Sequence, residues 1–438
     1  MRYLKFIFEF FIFLSNNIFS CLFIFVFKAY KYRLYPSKEQ TILLNKHIGA
    51  TRFLYNIALE TKQTAYAGAK VNLSRYDLQK QVPELKKECP WLSEINSQSL
   101  QYALVCLETA YKNFFKYGSG FPRYKSKHKT ESFGVPQNVI VDQDAQTLVI
   151  PKFKKKGINI RLHRNFEGEV KQATISKSKT GKFYASILVD TKKPQPTKAK
   201  ITEETSVGID LGLKDFMITS DAEIINNPRH LKNALVRLKF LQRKFSRYKG
   251  NRTKKRLTRQ YELVTNARKD FLHQLSTRLI RENQTICLED LNIKGMMSRC
   301  KPNWNEEENR YLPNGQAAKS GLNRSIADAS WSMFVNMLTY KADWYGKNII
   351  HIGRFEPSSK TCSSCGYIKK DMTLKDRIWT CEGCGEEHHR DVNAAKNIKA
   401  FALQKHLSGT DRKNHGELPT LVGALTHEAH PIALGVGG

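Results

Sequence analysis

The chain has 438 residues, room for two or three domains, and carries 72 lysines and arginines against 40 acids, a net charge of +32. A surplus of that size sets up a positive field suited to a phosphate backbone. Five of the nine cysteines (Cys21, Cys89, Cys106, Cys287, Cys300) are scattered singly, which argues against a disulfide scaffold and for a reducing compartment.

Residues 1–27 hold nine of the 24 phenylalanines and only three charges, Arg2, Lys5 and Glu9. By length this stretch resembles a membrane anchor or signal peptide. However, Glu9 and Asn16-Asn17 interrupt it, no small-residue cleavage site follows, and translated AT-rich DNA gives the same residue mixture. The expectation is a natural start at Val26, with 1–27 a start-site extension outside the fold, no stable membrane association and a cytoplasmic location.

From residue 37 to about 120 the apolar steps are helical, through Leu43-Leu44, Ile48 and Phe53-Leu54, then Leu100, Leu104, Leu107 and Tyr111. Ser37 with Gln40 fits a capping box, and Pro83 and Pro90 are expected to break the middle. Between Phe121 and Asp190 the pattern changes to short strands at 139–141, 147–150, 157–160, 170–175 and 184–189, with a hairpin turn at Lys179-Thr-Gly-Lys182. This predicts a β-barrel over 28–195 interrupted by a helical insert, followed by a lysine- and proline-containing linker, 191–204. Phe121 to Lys129 mixes aromatic and basic residues, which suits either a solvated loop or an RNA contact.

Ser206-Val-Gly-Ile-Asp210-Leu-Gly212 reads as a buried apolar strand ending in an acid and a glycine turn. Arg229 to Arg259 holds 13 basic residues and no acid, with leucines and phenylalanines at helical steps. A solvated face normally mixes signs, so this basic helix, with Arg243, Lys244, Arg247, Lys254, Lys255 and Arg256, is expected to contact RNA or DNA. Thr285-Ile-Cys-Leu-Glu289 is a second apolar strand ending in an acid. Asn303 to Gly321 is polar and predicts a mobile loop, a candidate lid, before a helix over 325–346.

Near the end stand two knuckles, Cys362-x2-Cys365 and Cys381-x2-Cys384, each followed by glycine. Two such pairs complete a four-thiolate tetrahedral Zn²⁺ site of the zinc-ribbon type, with no open position for chemistry. Behind them comes Arg390-Asp391-Val-Asn393-Ala-Ala-Lys-Asn397-Ile, a helical stretch opening with an acid; the tail after Leu407 lacks periodicity. Taken singly, Asp210 suits a turn cap, Glu289 a strand-end charge and Asp391 a helix N-cap. Jointly, three carboxylates from two strand ends and a helix start suit two Mg²⁺ ions clamping a phosphodiester.

GIDLGLKDF, ICLEDL, the SSKTCSSCG and WTCEGCG knuckles and RDVNAAKNI resemble TnpB, the OrfB-type protein of bacterial insertion sequences. KYRLYPSKEQ from Lys31 and GATRFLYN from Gly49 resemble that family's opening elements, so the likeness runs from about Lys28 to about Lys405. It implies an RNA-guided DNA endonuclease with a guide RNA from the transposon end and a double-stranded DNA target. The implied fold is a barrel with a helical lobe and then an RNase H-like (RuvC) domain over 205–357 with a zinc ribbon at 358–388. A final helix over 389–407 and a flexible tail at 408–438 complete it. It also implies Asp210, Glu289 and Asp391 as catalytic Mg²⁺ ligands and Cys362, Cys365, Cys381 and Cys384 as zinc ligands. The family usually has an aspartate where His389 stands here.

A DDE transposase would order its acids Asp, Asp, Glu, and a tyrosine-type transposase needs a His-x-His pair, whereas His388 and His389 are adjacent. The remaining alternative is a non-catalytic zinc-ribbon protein that assists transposition.

Overall fold

The computed structural model describes residues 25–127, 131–153, 157–373 and 376–407. These contacts divide the chain into two units, one running to Pro194 and the other starting at Gln195.

The first unit joins an antiparallel sheet to a helical layer. Its strands are β1 (Phe25–Tyr35), β2 (Ser132–Val135), β3 (Ile140–Asp142), β4 (Thr147–Val149), β5 (Ile158–Arg161), β6 (Glu169–Lys177) and β7 (Phe183–Pro194), in the order β2-β6-β7-β1-β5-β4-β3. Alternation is clearest in β7, where Phe183, Ala185, Ile187 and Val189 point into a core shared with Tyr32 and Leu34 of β1. β1 begins at Phe25, so the last residues of the apolar extension belong to the sheet: Phe27 pairs with Asp190, and the Thr191 hydroxyl donates to the Val26 carbonyl at 2.7 Å. Residues 1–24 lie outside the described residues, as does the tail after Leu407, whereas the expected start at Val26 falls within β1. Among the described residues no helix is long and apolar enough to cross a membrane.

Between β1 and β2 run α1 (Lys38–Ala69), α2 (Arg75–Glu88), a 3-10 turn (Pro90–Glu94) and α3 (Ser97–Tyr117). The Ser37–Gln40 capping box starts α1. Pro83 does not break the chain: it sits inside α2, and the helix ends at Cys89 before Pro90. Leu54, Leu59, Leu78, Leu92, Leu100 and Leu104 form the helical core, while Leu44 and Ile48 of α1 reach into the core of the sheet.

The second unit is a five-stranded sheet with helices on both faces. Its strands are β8 (Ser206–Leu211), β9 (Asp215–Thr219), β10 (Ile224–Asn226), β11 (Thr285–Glu289) and β14 (Asn348–Ile352), ordered β10-β9-β8-β11-β14. β8, β11 and β14 are parallel, whereas β9 and β10 are antiparallel additions. The continuous apolar runs of β8 and β11 reflect burial on both sides. One face packs Val207, Ile209, Ile286 and Leu288 against α5 (Asn251–Glu282) and α8 (Trp331–Tyr345), through Leu272, Leu279, Phe334 and Leu338. The other packs Cys287, Ile350 and Ile352 against Ile398 and Ala402 of α9 (Arg390–Leu407).

The basic stretch is two helices, α4 (His230–Tyr248) and α5, not the one expected, because Lys249 adopts a left-handed φ of 46° and Gly250 follows. Asp328 anchors the pair. Its carboxylate accepts the Leu231 N–H at 2.9 Å, replacing the cap that Arg229 lacks, and takes Arg268 at 3.2 Å. Residues 303–321 are not a featureless loop either. They hold the hairpin β12 (Asn303–Asn305)–β13 (Arg310–Leu312), closed by a Trp304–Tyr311 edge contact, and the start of α7 (Gln316–Ala329). The helix expected over 325–346 is divided between α7 and α8 at Ser330, whose φ is 57°. A single turn, α6 (Ile293–Met296), follows β11, and β15 (Ile378–Thr380) pairs with β16 (Glu387–His389) just before α9.

Candidate functional site

Strand parity sets two of the acids on one face, and α9 carries the third near enough to act on Asp210. Side chains alternate across a sheet, so Asp210 shares a face with Gly208, and Glu289 shares one with Cys287. Both faces are the α9 side: Cys287 packs with Ile398, and Gly208 lies against the Ala395 backbone. The β8–β11 register pairs Ile209 with Leu288, so one further step sets Asp210 beside Glu289. Asp391 stands in the first turn of α9, close enough to bear on the Asp210 carboxyl.

The electrostatics follow from that convergence. Burial first, then the Asp391 and Glu289 carboxylates, push the Asp210 carboxyl up to about 7 against partial relief from Arg390 and Arg377. Glu289 is raised as well, by burial and then by Asp290. Asp391 is held by two guanidinium groups, Arg377 Nη1 at 2.5 Å and Arg390 Nη2 at 2.9 Å. The three carboxylates are hard oxygen donors of the kind a divalent cation takes, near enough for Asp391 and Glu289 to add to the effect of burial on Asp210, though less tightly drawn together than the cysteines described next.

The four cysteines also meet. Their sulfurs lie within 4.8 Å of one another, the only such ligand cluster among the described residues, with Cys362–Cys384 at 3.7 Å and Cys365–Cys381 at 3.6 Å. Gly366 and Gly385 supply the positive φ values, 79° and 75°, that each knuckle turn requires. The thiols share protons unevenly. Against the raising effect of burial, the backbone of Cys384 and Gly383 brings Cys381 down to about 7. Cys384 is pushed up to about 12, its backbone bond at Glu386 outweighed by burial and the neighbouring sulfurs. Such a set fits one tetrahedral zinc.

Several residues that tie knuckle to acid were not singled out by the sequence reading. The Asn393 side chain accepts the Ser363 N–H at 2.9 Å and donates to the Thr361 carbonyl at 2.7 Å. One turn on, the Asn397 amide donates to the carbonyls of Ser358 and Thr361. His388 is buried against Trp379 with Nε2 3.0 Å from Cys362 Sγ, and Arg377 reaches Asp391 from beside β15. The i, i+4 spacing of Asn393 and Asn397 was the available signal. The remaining candidates, Arg243, Lys244 and Arg247 on α4 and Lys254, Lys255 and Arg256 on α5, lie near the turn that joins those helices.

Family models match three stretches of the chain. They are described as a helix-turn-helix domain over residues 26–70, a probable transposase over 186–299 and a Cas12f1-like TNB domain over 331–398. The first covers one strand and one long helix here. A Streptomyces pristinaespiralis protein named "Putative RNA-guided DNA endonuclease" is 38% identical over 387 residues, covering 86% of this chain and 89% of that one. InsQ of Escherichia coli K12, named in the same way, is 30% identical over 380 residues, 85% and 92% of the two chains. A Cas12f1–sgRNA–target DNA complex covers 86% of this chain and 99% of its own at 15% identity, with a TM-score of 0.45. The matches define a protein of the insertion-sequence transposase class. Within that class, the chain belongs to the TnpB family of RNA-guided DNA endonuclease relatives.

Proposed function

We propose that this protein is an RNA-guided DNA endonuclease that acts in the cytoplasm. It takes a guide RNA and cuts matched double-stranded DNA at Asp210, Glu289 and Asp391. The observation that carries the reading is the placement of Asp210 and Glu289 at adjacent parallel strand ends with Asp391 in the first turn of α9, where burial first and then the two neighbouring carboxylates act on Asp210. Evolving a buried cluster of like charges is costly unless a cation uses it. The sheet order, with three parallel strands and two antiparallel ones on one side, supports an RNase H-like nuclease domain, and the seven-stranded sheet with its helices supports the barrel and helical lobe.

In this reading β8 and β11 present Asp210 and Glu289 from rigid strand ends, and α9 brings Asp391 to them. Asp210, Glu289 and Asp391 would hold the magnesium ions, which when bound would supply activation of water and charge neutralisation at the leaving 3′-oxygen. Arg377 and Arg390 hold the Asp391 carboxylate in place and lower the local repulsion. The four cysteines would hold a structural zinc that contributes folding energy to the segment from which α9 starts. Target choice comes from base pairing with the guide, and the basic α4–α5 hairpin contributes phosphate contacts.

The direct test is to sequence the RNA retained by the purified protein and to offer the complex duplex DNA matched to it. Mg²⁺-dependent cleavage of matched but not scrambled duplex is expected. Retained RNA with no cleavage would favour the accessory-protein reading instead.

A further inference from the structure

The end of α3 and the loop after it carry an aromatic and basic surface that the nuclease site does not use. Six aromatic residues fall between Tyr111 and Tyr124, and residues 109–130 contain six lysines and arginines but no acid. Four of these rings form one connected set. Tyr111 stacks on Phe115 at 6.3 Å and meets Phe121 edge-on at 5.7 Å, while Phe114 meets Phe115 and Phe121 at 5.0 and 5.3 Å. Gly118, with φ 61°, ends α3 and turns the chain so that Phe121 returns over Phe114.

This is no core: Phe115 is 77% and Phe121 45% exposed. Nor is the loop loosely placed. Asn56 of α1 grips the Lys125 backbone from both sides, accepting its N–H at 2.8 Å and donating to its carbonyl at 2.9 Å, and the Tyr124 hydroxyl donates to Gln63 at 3.0 Å. Around the rings, Lys112, Lys116, Arg123 and Lys127 are exposed. A rigid, exposed set of rings inside a rim rich in lysine and arginine, with Lys112 partnered by Glu108 at 3.6 Å, narrows the choice of partner. A second copy of the chain would set like charges against each other. A duplex keeps its bases stacked on themselves and offers the rings no face. Unpaired bases offer both π-faces and phosphates, the pairing that aromatic side chains and basic grooves recognise in single-stranded RNA.

We propose that this surface holds an unpaired stretch of RNA, with bases stacked on Phe115 and Phe121 and phosphates at Lys116, Arg123 and Lys127. The proposal rests on the RNA-guided reading and names where a single-stranded part of that RNA sits. The test uses the full chain and an unstructured oligouridylate of about 15 nucleotides, within the span such surfaces cover. Phe115→Ala with Phe121→Ala should weaken binding by roughly tenfold or more, since a stacked base contributes about 1–3 kcal/mol. Phe115→Trp should restore binding, with its fluorescence quenched by the RNA. Because Phe115 is 77% exposed, Phe115→Ala alone should keep the wild-type melting temperature and still weaken binding, which separates stacking from the Tyr111 and Phe114 contacts of Phe121.

Ultraviolet crosslinking in cells expressing the full chain, followed by mass spectrometry, should place ribonucleotide adducts on the 111–127 peptides. Binding unchanged by the double substitution would overturn the proposal. So would adducts carrying deoxyribonucleotides, or a concentration-dependent dimer that Phe115→Ala dissolves. A wild-type chain that retains no RNA from cells would defeat the RNA-guided reading itself. Retained RNA that does not depend on Phe115 and Phe121 would defeat this surface alone.

Discussion

α9 crosses β8 so closely at Gly208 that a Cβ there would fall on the carbonyl oxygen of Ala395. Ala395 is one helical turn beyond Asp391, and Gly208 is two strand residues before Asp210 on the same face. The Gly208–Ala395 contact therefore sets the height of Asp391 above Asp210. Gly208 is also fixed by Ser220, whose N–H donates to its carbonyl at 2.8 Å, so β8 cannot retreat freely.

Gly208→Ala should accordingly push α9 off the sheet. The nearest atoms are backbone, which has no rotamer to yield, so the cost is that of overpacking, about 1–3 kcal/mol. Cleavage should fall by tenfold or more while RNA retention, measured by co-purification, stays at the wild-type level. Wild-type melting and cleavage together would mean that the helix is free to shift.

Removing one thiolate tests the knuckle. Cys381→Ser should lower zinc from about one per chain to near none and expose residues 358–389 to protease, because structural zinc contributes directly to folding. Asn393 and Asn397 bind the knuckle backbone to α9, so Asp391 should lose its position too. Finding no zinc in folded, reductively purified wild type would defeat the assignment.

Much of this site was legible before any coordinates. The apolar runs ending in Asp210 and Glu289 are what strands buried on both faces look like, and the doubled Cys-x2-Cys-Gly spacing left little freedom. What escaped had no strong local signal. Lys249 and Ser330 adopt left-handed conformations usually given to glycine, so two helix breaks were read through. Pro83 lies in the second half of α2 and the helix continues around it. The hairpin at 303–312 depends on Trp304 meeting Tyr311 within a polar composition that resembles a loop. The Arg377–Asp391 pair joins residues on either side of a knuckle, a contact that spacing alone does not reveal.

The basic hairpin gives a graded test. Replacing Arg243, Lys244, Arg247, Lys254, Lys255 and Arg256 with Gln should weaken nucleic-acid binding and flatten its salt dependence. For duplex DNA each lost phosphate contact should reduce the slope of log K against log salt by roughly 0.9. An unchanged slope would leave the hairpin merely solvated.

The proton on Asp210 makes two linked pH predictions. Its folded pKa of about 7 lies above the ordinary carboxylate value, so the metal-free folded state binds the extra proton between roughly pH 4 and 7. Stability of the metal-free protein should therefore fall as pH rises through that window. Proton and cation compete for the same oxygens, so Mg²⁺ affinity should rise over the same range and level off above pH 7. Thermal melts with and without Mg²⁺ across pH 5–8 would show the two curves diverging; parallel curves would contradict a cation site at Asp210.

In the proposed function these three acids perform chemistry and not recognition. Asp210→Ala, Glu289→Gln and Asp391→Ala should each abolish Mg²⁺-dependent cleavage of duplex DNA matched to the retained RNA. Base pairing and backbone contacts supply binding, so retention of RNA and of target should change little. The measurement is cleavage and target affinity side by side for the Asp210→Ala complex. Cleavage should fall by several orders of magnitude with affinity within about threefold of wild type. Cutting at the wild-type rate, or a matching loss of target binding, would contradict it.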